Sequence, residues 1–418
     1  MKHVKIKGSV APLAGVLSGA SRERLGKSGI GEMISLIERY EAISFGAGEP
    51  SPDLFPREEI AEAIANALGD ADVWGYYHDD YGDEGLRDWI ASRMKADGIA
   101  PEWVDAGNIL LTNGGGEAMS LVTAAFVDPG SVVLVESPTY TESLLAFRAA
   151  GAFCLPVPSD GSGIIPEKLA GIVSSVPARF LYTIPNYQNP SGRTMPRERR
   201  VEVLEILCKA GIGLVEDDPY HYLGYDGDPP ESFLALADDD VRVIHCSSFS
   251  KTIAPGLRVG WAVIPPYLSD IFGALRVSSG LGRPLAIQRG ILRYLESIDF
   301  GDRISFLRTE YRKRRDEMAL MCGSYLSPLG IRTNLPDGGF FVWGEVSPSY
   351  MNNFSSSRFA RWAVEEERVG IIPGTAFYPS GGGENAFRMS YAKIRAGDIG
   401  DGVKRLARAF EKYRNLSE

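Results

Sequence analysis

Ser247-Ser248-Phe249-Ser250-Lys251, continued by Pro255-Gly256-Leu257-Arg258-Val259-Gly260, lies between two apolar runs, Val241 to Cys246 and Val259 to Ile264. Both runs read as strands. A lysine just past the end of a buried strand is unusual, because lysine is rarely buried without a task. It is also the side chain that forms a Schiff base with a carbonyl. The hydroxyls of Ser248 and Ser250 and the guanidinium of Arg258 offer donors to a phosphate dianion. Taken alone, Ser-x-Ser-Lys describes a loop with a solvated lysine, so the surrounding pattern has to decide.

From about residue 108, short β-rich runs alternate with helical ones, the pattern of an α/β unit with a mostly parallel sheet. Ile109 to Leu111, Val132 to Val135, Phe153 to Val157, Phe180 to Ile184 and Ile212 to Val215, with the two runs above, make seven predicted strands. Pro196, then Val203, Leu207 and Ala210 at helical spacing, then Gly211, predict a helix with its start and stop. Before residue 45 and after about residue 300 the pattern changes. Arg303 to Met321 is a charged amphipathic helix, and Ile331 to Val346 with Ile371 to Ala392 look like a smaller α+β unit. The expected architecture is therefore α/β, with a large cofactor-binding domain over 46–300 carrying the seven-stranded sheet. Residues 1–45 form an N-terminal segment and part of a smaller α+β domain completed by 301–418.

The chain has 418 residues, 44% of hydrophobic and 23% of charged types, an ordinary globular composition that excludes a disordered or membrane-spanning class. A net charge of −10 argues against nucleic acid and anionic membrane surfaces as partners, and in favour of a small molecule. Cys154, Cys208, Cys246 and Cys322 form no CxxC pair, so buried reduced thiols in a cytoplasmic protein are expected. His3, His78, His221 and His245 do not stand at ligand spacing, and no metal site is expected. Lys2, Lys5 and Lys7 ahead of Val10 to Leu17 mimic an export signal, but Pro12 and Gly15 interrupt the run.

Three further pieces follow predicted strands. Gly114-Gly115-Gly116 opens a helix, where free N–H groups and the helix dipole face an anion; alone it is equally a tight turn. Asn186-Tyr187-Gln188-Asn189-Pro190-Ser191-Gly192 reads locally as a proline-glycine turn. Glu216-Asp217-Asp218-Pro219-Tyr220 reads locally as solvated acids, yet one buried carboxylate there would hold an aromatic ring nitrogen as a cation, with a phenol beside it. Carboxyl ends of strands are where open parallel sheets bind ligands. Phosphate donors, a Schiff-base lysine, an acid, and amide and phenol donors together specify pyridoxal phosphate.

On these residues the chain resembles a fold-type I pyridoxal-phosphate aminotransferase of the class I/II group, and within it the 2-aminoadipate and kynurenine aminotransferase branch, from about residue 28 to the C-terminus. The resemblance implies a homodimer that moves an amino group between an α-amino acid and a 2-oxo acid by a ping-pong mechanism. It implies that Lys251 carries the cofactor and shuttles the substrate proton, that Asp217 holds the ring nitrogen charged, and that Asn189 and Tyr220 bond the ring oxygen. Tyr140, in Ser137-Pro138-Thr139-Tyr140, would stack on the ring. Ser248, Ser250, Arg258, Gly115 and Gly116 would hold the phosphate, joined by Tyr77 of the neighbouring subunit, which fits the pattern Tyr-x4-Gly-x3-Leu-Arg through Gly82, Leu86 and Arg87. Arg388, in Phe387-Arg388-Met389-Ser390-Tyr391, would fork onto the substrate α-carboxylate, with Gly48 and Asn189 beside it. Two positions depart from the family. Gly115-Gly116 stands where a polar pair is common, and Glu49, in Gly46-Ala47-Gly48-Glu49-Pro50, where an apolar residue is common. The same scaffold also serves C–S β-lyases, racemases and cofactor-sensing regulators, the last of which carry an N-terminal DNA reader.

Overall fold

The seven apolar runs all become strands of one sheet, their ends differing from the sequence expectation by a few residues. Across the sheet the order is Ile109–Thr112, Gly260–Val263, Val243–Ser248, Gly213–Asp217, Ala178–Thr183, Val132–Ser137 and Phe153–Asp160, with an unexpected two-residue strand, Gly163–Ile164, at the outer edge. The pairings from Val243–Ser248 through to Phe153–Asp160 are parallel. Gly260–Val263 runs antiparallel to both its neighbours. The central strands are covered on both faces, which is why they read as continuous apolar runs and not as alternating ones. This is a computed structural model, and it describes residues 18, 19, 21, 29–75, 79–237, 242–280 and 284–417. Tyr77 and the lysine-led stretch before residue 18 lie outside the described residues.

Helices return the chain between parallel strands. Arg197–Ala210 is one of them: Pro196 sits immediately before it and Gly211 closes it at φ 70°, a left-handed conformation that suits glycine. Its inner face holds Val203 and Leu207, while Cys208 points out. That corrects the expectation of four buried thiols: Cys246 and Cys322 are buried, Cys154 is half-buried and Cys208 is exposed, all of them free.

The two ends of the chain meet in a second set of strands. Ile43–Ser44 pairs in parallel with Val369–Gly370, and the backbone N–H of Ser390 donates to the carbonyl of Phe45 at 2.7 Å. Ile331–Thr333, Phe341–Val346, Ala386–Ser390 and Ile372–Pro373 form an antiparallel sheet, packed with the helices Ser356–Glu367, Ala396–Ser417 and the long Phe300–Tyr325. Among the described residues no helix is long and apolar enough to cross a membrane.

Candidate active site

A pocket of about 420 Å³ opens beyond the carboxyl ends of the sheet strands, and its wall includes Gly48, Gly115, Gly116, Tyr140, Asn189, Asp217, Tyr220, Ser248, Ser250, Lys251, Arg258 and Arg388. Every site residue named from the sequence is there except Tyr77, which is not among the described residues. The reason is topological: each lies at or just beyond the same end of the large sheet's strands, or on or beside the second set of strands.

Lys251 follows the strand Val243–Ser248 and donates from Nζ to the carbonyl of Gly48 at 3.0 Å. Burial pulls its pKa down to about 8, opposed by the charge of Glu49. A lysine lowered this far carries a useful fraction of nucleophilic free amine near neutral pH.

The three consecutive acids after Leu214 and Val215 have three different fates. Glu216 turns under the sheet and accepts the N–H groups of Phe233 and Leu234 at 3.0 and 3.2 Å. Asp218 is fully buried and accepts from Asn186 Nδ2 at 2.7 Å, with His221 Nδ1 at 3.2 Å and His245 Nε2 at 3.9 Å. These partners hold it below the usual carboxylate range despite its burial. Only Asp217 of the three reaches the pocket wall. Burial pushes it up to about 6, while the Tyr182 hydroxyl, donating to Oδ2 at 2.7 Å, favours the anion.

The loop carrying Asn189 is braced from below. The buried Glu136 accepts from the N–H of Ile184 at 2.7 Å, Gln188 Nε2 donates to the carbonyl of Pro138 at 2.7 Å, and Gln188 Oε1 accepts from the N–H of Ser191 at 2.8 Å. Asn189 then offers Oδ1 to Arg388 Nη1 at 2.7 Å. Arg388 is buried, donates from Nη2 to the carbonyl of Gly46 at 2.6 Å, and lies between the rings of Phe341 and Phe377, 4.4 and 4.9 Å from their centroids. Two of its five N–H donors are thereby engaged. Among the described residues its Nε has no partner. A buried guanidinium with donors to spare is matched to a carboxylate, and the aromatic faces keep it in place.

On the opposite wall, the helix Gly115–Phe126 begins at the pocket. Among the described residues, a Cβ at Gly115 or Gly116 would meet nothing within 4 Å. The backbone amides there are therefore open to an anion, and the departure from the family's polar pair leaves an intact helix N-terminus with extra room. Gly114, at φ 74°, could not be replaced so freely, since a Cβ there would fall 2.3 Å from Arg258 Nη2. Arg258 donates to the carbonyls of Asn113 and Pro255 at 2.9 and 3.2 Å, which fixes its guanidinium at the mouth of this cradle.

Sequence reasoning missed Tyr182, whose hydroxyl also meets Ser143 Oγ at 2.9 Å. It missed Glu142, which accepts the Tyr140 hydroxyl, and the apolar wall of Ile30, Ile34, Met119 and Ala146. Glu49, singled out without a role, lines the pocket and pairs with Lys393, Nζ to Oε2 2.7 Å.

An amine lowered towards neutrality, a buried acid whose anion a tyrosine hydroxyl supports, and a helix N-terminus beside an arginine stand together at one end of this sheet, a set suited to pyridoxal phosphate in a fold-type I enzyme. The model of the family "Aminotransferase class I and II" matches residues 40–406. The chain is 34% identical over 396 residues to a 2-aminoadipate transaminase of Thermus thermophilus, covering 94% of this chain and 96% of that one. It is 30% identical to aromatic-amino-acid aminotransferase 1 of Thermococcus litoralis, with 92% of each covered. A crystal structure of an α-aminoadipate aminotransferase from Thermus thermophilus, complexed with N-(5'-phosphopyridoxyl)-L-leucine, superposes with a TM-score of 0.87 at 32% identity over 96% of this chain and 99% of that one. The chain belongs to the class I and II aminotransferase family and is a pyridoxal-phosphate-dependent transaminase.

Proposed function

We propose that Lys251 carries the cofactor and moves the substrate proton in a homodimeric, cytoplasmic transaminase acting on α-amino and 2-oxo acids. The observation that supports this most is convergence: a lysine amine, an acid and a buried guanidinium with unpaired donors, drawn from separate segments of the chain, wall one pocket. Bound there, pyridoxal phosphate would supply the aldehyde that takes up the donor's nitrogen and two electrons, and the ring that stores them until a 2-oxo acid takes both back.

The protein's own residues do the rest. Gly115, Gly116, Ser248, Ser250 and Arg258 bind the phosphate. Asp217 keeps the ring nitrogen protonated, Asn189 and Tyr220 bond the ring oxygen, and Tyr140 covers the ring face. Arg388 fixes the substrate carboxylate, which orients the Cα–H bond towards Lys251, and Lys251 Nζ takes that proton and returns it to the carbon on the other side of the nitrogen, two bonds away. Trp74, 74% exposed, lies close in sequence to Tyr77 and is the kind of aromatic that marks an interface, which supports a second copy as the partner. Donors to try first are those in the relatives' names, 2-aminoadipate and aromatic amino acids, and leucine. Each is added to the loaded protein without a 2-oxo acid while the cofactor's visible band is followed. Loss of the band, with recovery on adding a 2-oxo acid, is the expected result. Release of ammonia with no oxo-acid requirement would assign a lyase instead.

A further inference from the structure

Glu49 is placed by its neighbour. The carbonyl of Gly48 accepts the Lys251 amine at 3.0 Å, and a Cβ on Gly48 would fall 2.9 Å from Phe341 Cζ and 4.0 Å from Arg388 Nη1. A substrate with its nitrogen at Lys251 and its α-carboxylate at Arg388 therefore has its Cα against Gly48, and its side chain leaves past Glu49. The apolar part of the same pocket's wall is Ile30 and Ile34, one turn apart on the helix Gly29–Arg39, together with Met119 and Ala146.

The charges of this wall have a sign. Among the described residues lining the pocket, the cations are Lys251, Arg258 and Arg388, and each already has a role in the scheme above. The other charged side chains are Asp217, on the cofactor side, and the acids Glu49 and Glu142. Lys393 is engaged by Glu49. With Lys251, Arg258, Arg388 and Lys393 engaged, a side-chain carboxylate entering here would lose water beside two acids and find no further cation among the described residues lining the pocket. An alkyl or aryl side chain would gain by covering Ile30, Ile34 and Met119.

We infer that Glu49 is a specificity-determining residue, and that the subsite beside it takes α-amino acids with uncharged apolar side chains and turns away those with a second carboxylate. The inference rests on the transaminase reading and narrows it. Norleucine and 2-aminoadipate make a matched pair, sharing a six-carbon skeleton that ends in a methyl group or in a carboxylate.

The half-reaction of the loaded enzyme should favour norleucine by roughly 10- to 200-fold in kcat/KM, the range a hydrophobic pocket achieves. The protein freed of cofactor should bind N-phosphopyridoxyl-norleucine more tightly than N-phosphopyridoxyl-2-aminoadipate by calorimetry, a readout independent of turnover. Glu49→Gln removes one of the two acids and releases Lys393, so both ratios should shrink about tenfold, the effect of ~1.4 kcal/mol. Equal or inverted ratios in the wild type overturn the inference and leave the transaminase reading intact. Ratios unchanged in Glu49→Gln overturn the assignment to Glu49. If neither amino acid, nor any other, discharges the band, the transaminase reading fails and takes the inference with it.

Discussion

Tyr182→Phe removes a single hydroxyl outside the pocket lining, and its effect can be worked out from the geometry. The hydroxyl donates to Asp217 Oδ2 at 2.7 Å, a hydrogen bond to a charged acceptor worth ~1.5–3 kcal/mol. At about 1.4 kcal/mol per unit, losing it raises the Asp217 pKa by about one to two units, from about 6 to roughly 7–8. Binding of the cofactor's protonated ring requires the anion, so affinity is full above this pKa and is lost as pH falls through it. The variant should therefore bind cofactor about two- to tenfold more weakly at pH 7 and about 10- to 100-fold more weakly at pH 5, and equal the parent near pH 9. Little difference is expected at high pH because the bond is then missing from the free and the loaded protein alike. The assay is a fluorescence titration with pyridoxal phosphate across pH 5–9 in a Lys251→Ala background, which removes the lysine's own titration. The cofactor's ionisations affect both curves equally, and the displacement between them isolates Asp217. Adding Asp217→Asn to both proteins should abolish the displacement. Superimposable curves, or a displacement towards lower pH, would refute the role given to Tyr182.

Other substitutions probe separate parts of the site. Arg388→Lys keeps the charge but loses the fork between Phe341 and Phe377. Michaelis constants for both amino and oxo acids should rise about 10- to 100-fold with an unchanged cofactor spectrum, and normal constants would move the carboxylate site elsewhere. Gly114→Ala combines a strained φ of 74° with a Cβ 2.3 Å from Arg258 Nη2, so cofactor affinity should fall at least about tenfold as Arg258 is displaced. An unaltered dissociation constant would separate Arg258 from the phosphate.

Much of this was legible in the sequence because the chemistry sits where local pattern is most informative. Lys251, Asp217 and Asn189 each follow a β-rich run, and a parallel sheet gathers such loops at one end without further instruction. Arg388 lies on the strand Ala386–Ser390 of the second sheet, with nothing around it that marks a loop or a turn, and only the family pattern distinguished it from a surface arginine. Tyr182 was invisible for a physical reason. Inside a buried strand it reads as one more core aromatic, and only the pairing with Gly213–Asp217 brings its hydroxyl to a carboxylate. The pair Glu49–Lys393 joins residues 344 apart, and no local period encodes it. The short strand Gly163–Ile164 and the outward turn of Cys208 failed for the opposite reason, since two residues or one helix face carry too little pattern to be read.

The most direct test of the whole account is to identify the residue that holds the cofactor. The loaded protein is reduced with borohydride, digested and mapped by mass spectrometry. A phosphopyridoxyl group on Lys251, absent when the same treatment is applied to Lys251→Ala, is the predicted result. A label on any other lysine, or turnover that survives Lys251→Ala at the wild-type rate, would contradict it.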